Sequence, residues 1–425
     1  MTKPAEVPNG AQTGFELTPH RSSASSGELH RVVLRDDMHR QAPTSLYVHI
    51  PFCKSRCFYC DFTTYVAPRP EVMAYVEYLK REFELLATET DQPMKTVFFG
   101  GGTPTYLSAK ELDQVFTSLH RNFQLAADAE MTVEANPGTV DSEKLAVLRD
   151  HGVNRISFGA QTFDENLLMA IGRTHDQRAI WTSVELAARH GFSRINLDLM
   201  FGLPEQTLDS VGRAIEQIEQ LGVRHVSAYW LKVEPGTPFH KWQEQGLLPL
   251  PGEDTEADMY EFVRETLAQS GFVHYEISNF ATPGEEALHN LVYWRNQPYL
   301  AAGVGAHGYV RGVRYENVTA LTDYARLLSA GQRPIADTHQ VSAAESAEDT
   351  MMLGLRLREG VSASGFEQRH GVPLKIVFHE QIRLLTEQGL IEANDGVYRL
   401  TDKAWPIANV VFEEFVGALT SAPLQ

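Results

Sequence analysis

Between residues 45 and 231, short runs of β-branched, aromatic and aliphatic residues alternate with longer stretches whose apolar positions recur three and four apart. The short runs are LYVHI (46–50), TVFFG (96–100), MTVEA (131–135), RISFG (155–159), INLDLM (195–200) and HVSAYWL (225–231). Segments such as EVMAYVEYLKREFELL and TLDSVGRAIEQIEQL separate them with helical spacing. Six strands joined by helical crossovers indicate a parallel sheet. The fold class expected is therefore α/β: a partial, right-handed (β/α)6 TIM-like barrel with its ligands at the C-terminal ends of the strands.

The alternation stops after Pro251. A helix is expected near 253–270, then FVHYEISNF, then a Gly- and aromatic-rich segment, HNLVYWRNQPYLAAGVGAHGYV, that reads as site lining rather than core. From about residue 345 three helical segments (SAAESAEDTMMLGLRL, VSASGFEQRH and LKIVFHEQIRLLTEQGLI) and the hairpin-like IEANDGVYRLT suggest a small, mainly helical, winged-helix-like unit without a basic face. The expected division is a disordered N-terminal tail (1–41), a core barrel (42–285), a connecting segment (286–344) and the C-terminal unit (345–425).

Composition narrows the function. A formal net charge of −18 works against sequence-independent binding to phosphate backbones, so nucleic acid is not an expected partner. No apolar run reaches membrane-spanning length and the first residues form no apolar signal core, so the protein is expected in the cytoplasm and not integral to a membrane. The three cysteines all fall within Cys53-Lys-Ser-Arg-Cys57-Phe-Tyr-Cys60, and an odd number cannot pair entirely as disulfides.

That spacing lets one loop wrap three thiolates around a single 4Fe-4S cluster, leaving one iron without a protein ligand. The amino and carboxylate groups of S-adenosylmethionine can chelate that iron and bring the sulfonium within reach of the reduced cluster. Two other readings stay open: three ordinary thiols, or a zinc ion completed by His49.

The stretch Tyr47-Val-His49-Ile-Pro51-Phe52-Cys53 through Cys60-Asp61-Phe62 resembles the radical S-adenosylmethionine (SAM) superfamily, and within it the oxygen-independent coproporphyrinogen III oxidase group. The resemblance extends over roughly residues 45–420 and implies a radical SAM barrel followed by a C-terminal unit of the kind found in that oxidase, HemN. It also implies that Tyr47, six positions before the first cysteine, contacts the SAM on the cluster.

Gly100-Gly101-Gly102-Thr103-Pro104-Thr105 follows directly on the second strand, where bare backbone can approach a ligand that any Cβ would block. Glu134 and Gln161 end the third and fourth strands, Asp198 lies in the fifth, and Arg173 in IGRTH can reach the same mouth and meet a carboxylate bidentately. By resemblance, Gly101, Gly102, Thr103, Glu134, Gln161, Arg173 and Asp198 contact SAM, with Tyr59 between the second and third cysteines beside them. Gly303-Val-Gly305-Ala-His-Gly308 satisfies a dinucleotide fingerprint, but YVRGVRYENV follows it and reads as strand, so no such site is expected.

Oxidases of this group, as the resemblance implies, continue the cluster motif with a cysteine two positions after the third; this chain has Phe62 there. His289-Asn290-Leu291-Val292-Tyr293-Trp294 matches the H-N-x-x-Y-W signature of the HemW heme chaperones within the group. His289 is thereby a candidate axial ligand for heme iron, with His307 the next, and Tyr293 and Trp294 can offer flat apolar faces to a porphyrin. The function expected is binding heme and delivering it to acceptor proteins such as respiratory enzymes, with the cluster, exchangeable SAM and an electron donor in support and a homodimer allowed. No catalytic residue and no coproporphyrinogen III oxidase turnover are expected. The alternative is a radical enzyme that oxidatively decarboxylates porphyrinogen propionates.

Overall fold

The computed structural model describes residues 34–37 and 41–419. Six strands, β1 (Ser45–Ile50), β2 (Met94–Gly101), β3 (Leu125–Ala135), β4 (Arg155–Gln161), β5 (Arg194–Phe201) and β6 (His225–Trp230), pair in parallel in chain order, matching the six runs read from the sequence. Between them lie α1 (Arg69–Leu86), α2 (Ala109–Asn122), α3 (Ser142–Asp150), α4 (Glu165–Ala170), α5 (Gln177–Arg189) and α6 (Leu208–Leu221). After β6 come α7 (Pro238–Glu244) and α8 (Glu253–Gln269). The crossovers start and stop where local chemistry dictates. Ser108 and Glu111 form a capping box at the head of α2, and Gly222 at φ 64° closes α6 in the left-handed region that a Cβ disfavours.

The sheet is wider than six strands. β7 (Val273–Glu276) and β8 (Asn279–Ala281) extend it antiparallel beyond β6. After α9 (Leu288–Trp294), β9 (Leu300–Ala302) adds a parallel strand outside β1. The nine strands run β7-β8-β6-β5-β4-β3-β2-β1-β9, an open, partial barrel. The Gly- and aromatic-rich segment read as site lining is thus partly core: Leu300, Ala301 and Ala302 are fully buried.

Glu82 on α1 pins this segment down. Its carboxylate, 1% exposed, accepts from the Gly303 N–H (2.7 Å), Asn317 Nδ2 (2.7 Å) and the Tyr324 hydroxyl. Gly303 and Gly305 lie in the turn leading from β9 into a strand, not a helix, so the glycine pattern builds no dinucleotide-binding unit. A three-stranded sheet follows, β10 (His307–Val310), β11 (Val313–Asn317) and β12 (Ile335–Gln340), with α10 (Leu321–Ser329) before its last strand.

The C-terminal unit comprises α11 (Ala343–Gly354), β13 (Val361–Ser362), α12 (Ala363–His370), α13 (Leu374–Val377), α14 (His379–Glu387), β14 (Ile391–Asn394), β15 (Val397–Leu400) and α15 (Ala408–Glu413). The single helix expected over 374–391 is two, broken at Phe378, whose backbone leaves the helical region at φ −116°, ψ 37°. Asp395 and Gly396, at φ 51° and 77°, make the tight hairpin turn that joins β14 to β15.

Most of the stretch read as a loose tail lies outside the described residues. Of the rest, Leu34 is 3% exposed, and Asp36 accepts from Arg369 Nε at 3.1 Å, so this part packs on the C-terminal unit. No helix among the described residues is long and apolar enough to cross a membrane.

Candidate functional site

The C-terminal ends of β1 to β6 surround a cavity of about 770 Å³. Cys53, Cys57, Cys60, Tyr59, Gly101, Gly102, Thr103, Glu134, Gln161, Arg173 and Asp198 all line it, although they span 146 positions of the chain from Cys53 to Asp198. The cysteines lie on the loop leaving β1. This loop is tied back by Cys53 N–H to Tyr65 O (3.0 Å) and Cys60 N–H to Cys57 O (3.3 Å), and Cys53 Sγ lies 3.6 Å from Thr103 Oγ1. Phe58 and Tyr59 anchor it in a secondary apolar cluster with Phe239 and Trp242.

The glycine motif is required by this approach. A Cβ on Gly102 would lie 2.8–2.9 Å from the Pro51 and Phe52 backbones, and one on Gly101, at φ 108°, would lie 2.5 Å from the His49 ring. His49 itself is committed on both sides: its Nδ1 is 3.1 Å from Tyr47 OH and its Nε2 donates to Thr63 O at 2.8 Å. With both nitrogens engaged and the ring buried, His49 is not available to complete a zinc site. Three half-buried thiols on one loop, with no fourth protein ligand beside them among the described residues, suit the three-thiolate set of a cluster with one open iron. Burial pushes the Cys53 thiol up and the Cys60 thiol to about 11, so these sulfurs favour a cationic partner over free thiolate.

The opposite wall is acidic and amidic. Glu134 Oε2 accepts from Gly101 N–H at 3.1 Å; burial, and next the Asp198 charge, raise its carboxyl to about 8. Burial raises Asp198 to about 6 against hydrogen bonds from Asn196 Nδ2 (2.7 Å) and Ser157 Oγ (3.3 Å). Arg173 Nη1 donates to Asn136 Oδ1 at 2.7 Å, while its buried Nε has no protein partner among the described residues. Such a wall can take a zwitterion: the carboxyls meet an ammonium and the guanidinium a carboxylate. Gln161 stands at φ 68°, where the β4–β5 register slips, a strained conformation that turns it to the cavity.

Asn136, Gly159 and His175 are among the lining residues that the sequence reading did not single out. Asn136, in Asn-Pro-Gly at the end of β3, bridges Thr103 Oγ1 (2.8 Å) and Arg173; the turn tripeptide was the available signal. Gly159 leaves room for Arg173, whose Nη2 a Cβ there would approach to 2.8 Å, and a glycine inside a strand was again a signal. His175 also lines the cavity and had no local signal.

Two expected site residues lie elsewhere. Tyr47 and His289 line a smaller interior cavity of about 210 Å³ that shares Glu134, Asp198 and Tyr229 with the larger one. The surroundings of His289 can be described in full. The ring is 1% exposed, its Nδ1 lies 2.8 Å from Thr96 Oγ1, its Nε2 lies 2.8 Å from Tyr293 OH, and Phe98 stacks on it at 5.3 Å. An iron taking a lone pair from this ring would have to displace the hydroxyl of Thr96 or of Tyr293 from it. Tyr293 enters that contact through its hydroxyl, and Arg356 lies over the Trp294 ring at 4.3 Å. His307 stands on the surface, 3.2 Å from Glu316 Oε2, and lines neither cavity.

Residues 47–218 match the family model of the Radical SAM superfamily, and residues 341–407 that of the HemN C-terminal domain. The chain is 43% identical over 377 residues to a protein of Bacillus subtilis (strain 168) named Heme chaperone HemW, covering 88% of this chain and 100% of the relative. It is 34% identical to the protein of that name in Escherichia coli (strain K12), over 88% of this chain and 98% of the relative. Radical S-adenosyl methionine domain-containing protein 1, mitochondrial, of Bos taurus is 33% identical over 82% of this chain and 81% of its own length. Among solved structures, coproporphyrinogen III oxidase (HemN) from Escherichia coli superimposes with a TM-score of 0.77 at 24% identity, over 89% of this chain and 92% of that one, and so shares the fold.

Proposed function

Because the chain belongs to the HemW heme chaperone family of the radical SAM superfamily, we propose that it binds heme in the cytoplasm and hands it to heme-accepting proteins, respiratory enzymes among them. The observation that carries this reading is the 43% identity over the whole length of a heme chaperone, against 24% to the oxidase of the same fold. Phe62 agrees with it: where the oxidases carry a further cysteine, this chain presents an apolar ring, 62% exposed, on the cavity lining.

Within the site, Cys53, Cys57 and Cys60 hold a 4Fe-4S cluster, and the wall of Gly101, Gly102, Thr103, Glu134, Gln161, Arg173 and Asp198 holds SAM, with Tyr59 beside the cysteines. A reduced cluster held by these three thiolates would supply electrons within reach of the SAM sulfonium. The chain's own residues do the rest. Glu134, still mostly protonated at neutral pH, meets the ligand ammonium by giving up its proton, and the free Nε of Arg173 takes the carboxylate. Gly101 and Gly102 keep the wall bare enough for close approach. Tyr47 braces the site from the interior through His49 rather than from the main cavity. An electron-donor protein and a homodimer belong to the same proposal.

An anaerobic titration of the reconstituted protein with heme, beside an assay of coproporphyrinogen decarboxylation with SAM and a reductant, tests this. Saturable heme binding without decarboxylation is expected. Turnover without heme binding would restore the oxidase reading and leave Phe62 to be explained.

A further inference from the structure

We propose that heme sits across the mouth of the larger cavity with its iron ligated by Nδ1 of His175. The inference rests on the heme-binding reading above and names a ligand other than His289 and His307.

Heme needs three things from a protein surface: a neutral imidazole with a free nitrogen, apolar contact for the macrocycle, and cations for the two propionates. The mouth offers all three. Among the histidines of the described residues, His175 alone lines the 770 Å³ cavity. Its Nε2 is 3.3 Å from Ala160 O, and that carbonyl can only accept. The proton is therefore on Nε2 and the lone pair on Nδ1, which no described residue engages. A backbone carbonyl fixing the far N–H is the usual support of a metal-ligating imidazole. Burial, with Arg173 next, lowers the ring's pKa to about 4, so the imidazole is neutral at physiological pH.

Phe62 and Met169, 62% and 64% exposed, line the same cavity and supply the apolar rim. Lys54 and Arg56, exposed on the cysteine loop, also line it, and no described carboxylate forms an ion pair with either. On a chain of net charge −18, two unpaired cations beside an apolar rim suit a ligand that is apolar with an anionic edge.

The test is a titration of the full chain with ferric heme, read by the position and intensity of the Soret band, in the wild type and in His175→Ala, His175→Gln and His289→Gln, each first checked for native circular dichroism. The expected result is a histidine-ligated band in the wild type and in His289→Gln. In both His175 variants the band shifts and affinity falls about tenfold or more, the scale that even outer partners of metal ligands carry. Free imidazole restores the band in His175→Ala. An unchanged band in the folded His175 variants, or loss of the band in His289→Gln alone, overturns the assignment to His175. Absence of saturable binding in the wild type instead defeats the heme-binding reading itself.

Discussion

Replacing Glu134 by Gln should stabilise the ligand-free protein at neutral pH and flatten its pH dependence. The carboxyl sits between two cavities and is raised from 4.5 to about 8, by burial first and the Asp198 charge second. In the unfolded chain it ionises near its ordinary value. Below that value both states carry the proton and the group has no effect. Above it, the unfolded chain loses a proton that the folded protein keeps, so stability falls as pH rises, by at most about 1.4 kcal/mol per pH unit, until the folded group ionises too. Carried from 4.5 to neutrality, the loss approaches about 3 kcal/mol. Glu134 is partly open to the cavities, and water there screens the charge, so a gain of roughly 1–3 kcal/mol for Glu134→Gln is expected at about pH 7. Gln retains the oxygen that accepts the Gly101 N–H, so the comparison isolates the titration. Urea unfolding of the metal-free protein at about pH 5 and about pH 7.5 is the assay, with the variant's advantage small at the lower pH and growing toward the higher. An advantage equal at both, or absent at both, would refute the claim that this carboxyl is held protonated by its surroundings.

Cys57→Ser should abolish the absorbance of the anaerobically reconstituted cluster, and a cluster left intact would remove Cys57 from the ligand set. Gly102→Ala should cost about 1–3 kcal/mol and impair cluster reconstitution, because the new Cβ would meet backbone atoms of Pro51 and Phe52 that cannot rotate away. Gly252→Ala, where nothing lies within 4 Å, is the control, and equal melting temperatures for the two variants would show that the cysteine loop yields freely. Glu82→Leu should cost about 3 kcal/mol or more, since the Gly303 N–H, Asn317 Nδ2 and Tyr324 hydroxyl lose their shared acceptor in the core; a melting temperature within error of the wild type would count against that pin.

The six parallel strands, the cysteine loop and the glycine motif were legible in the chain because each is written in local chemistry: continuous apolar runs, three thiols at loop spacing, and residues without a Cβ at a strand end. Polar residues at successive strand ends were legible too, because a parallel array brings those ends together whatever the details of packing. Within that limit, eleven of the residues singled out from the sequence meet at one cavity. Contacts between distant segments were not legible. Nothing local distinguishes Leu300–Ala302 as a sheet strand; β1 makes it one by presenting a free edge. His289 sits in a motif that reads as a ligand, yet Thr96 and Tyr293 close over both of its nitrogens. His175, unremarked in IGRTH, keeps one nitrogen uncommitted at the cavity because Ala160, fifteen positions earlier, holds the other. Which imidazole has a lone pair to give is set by burial and hydrogen-bond partners from distant strands, and those are properties of the folded chain alone.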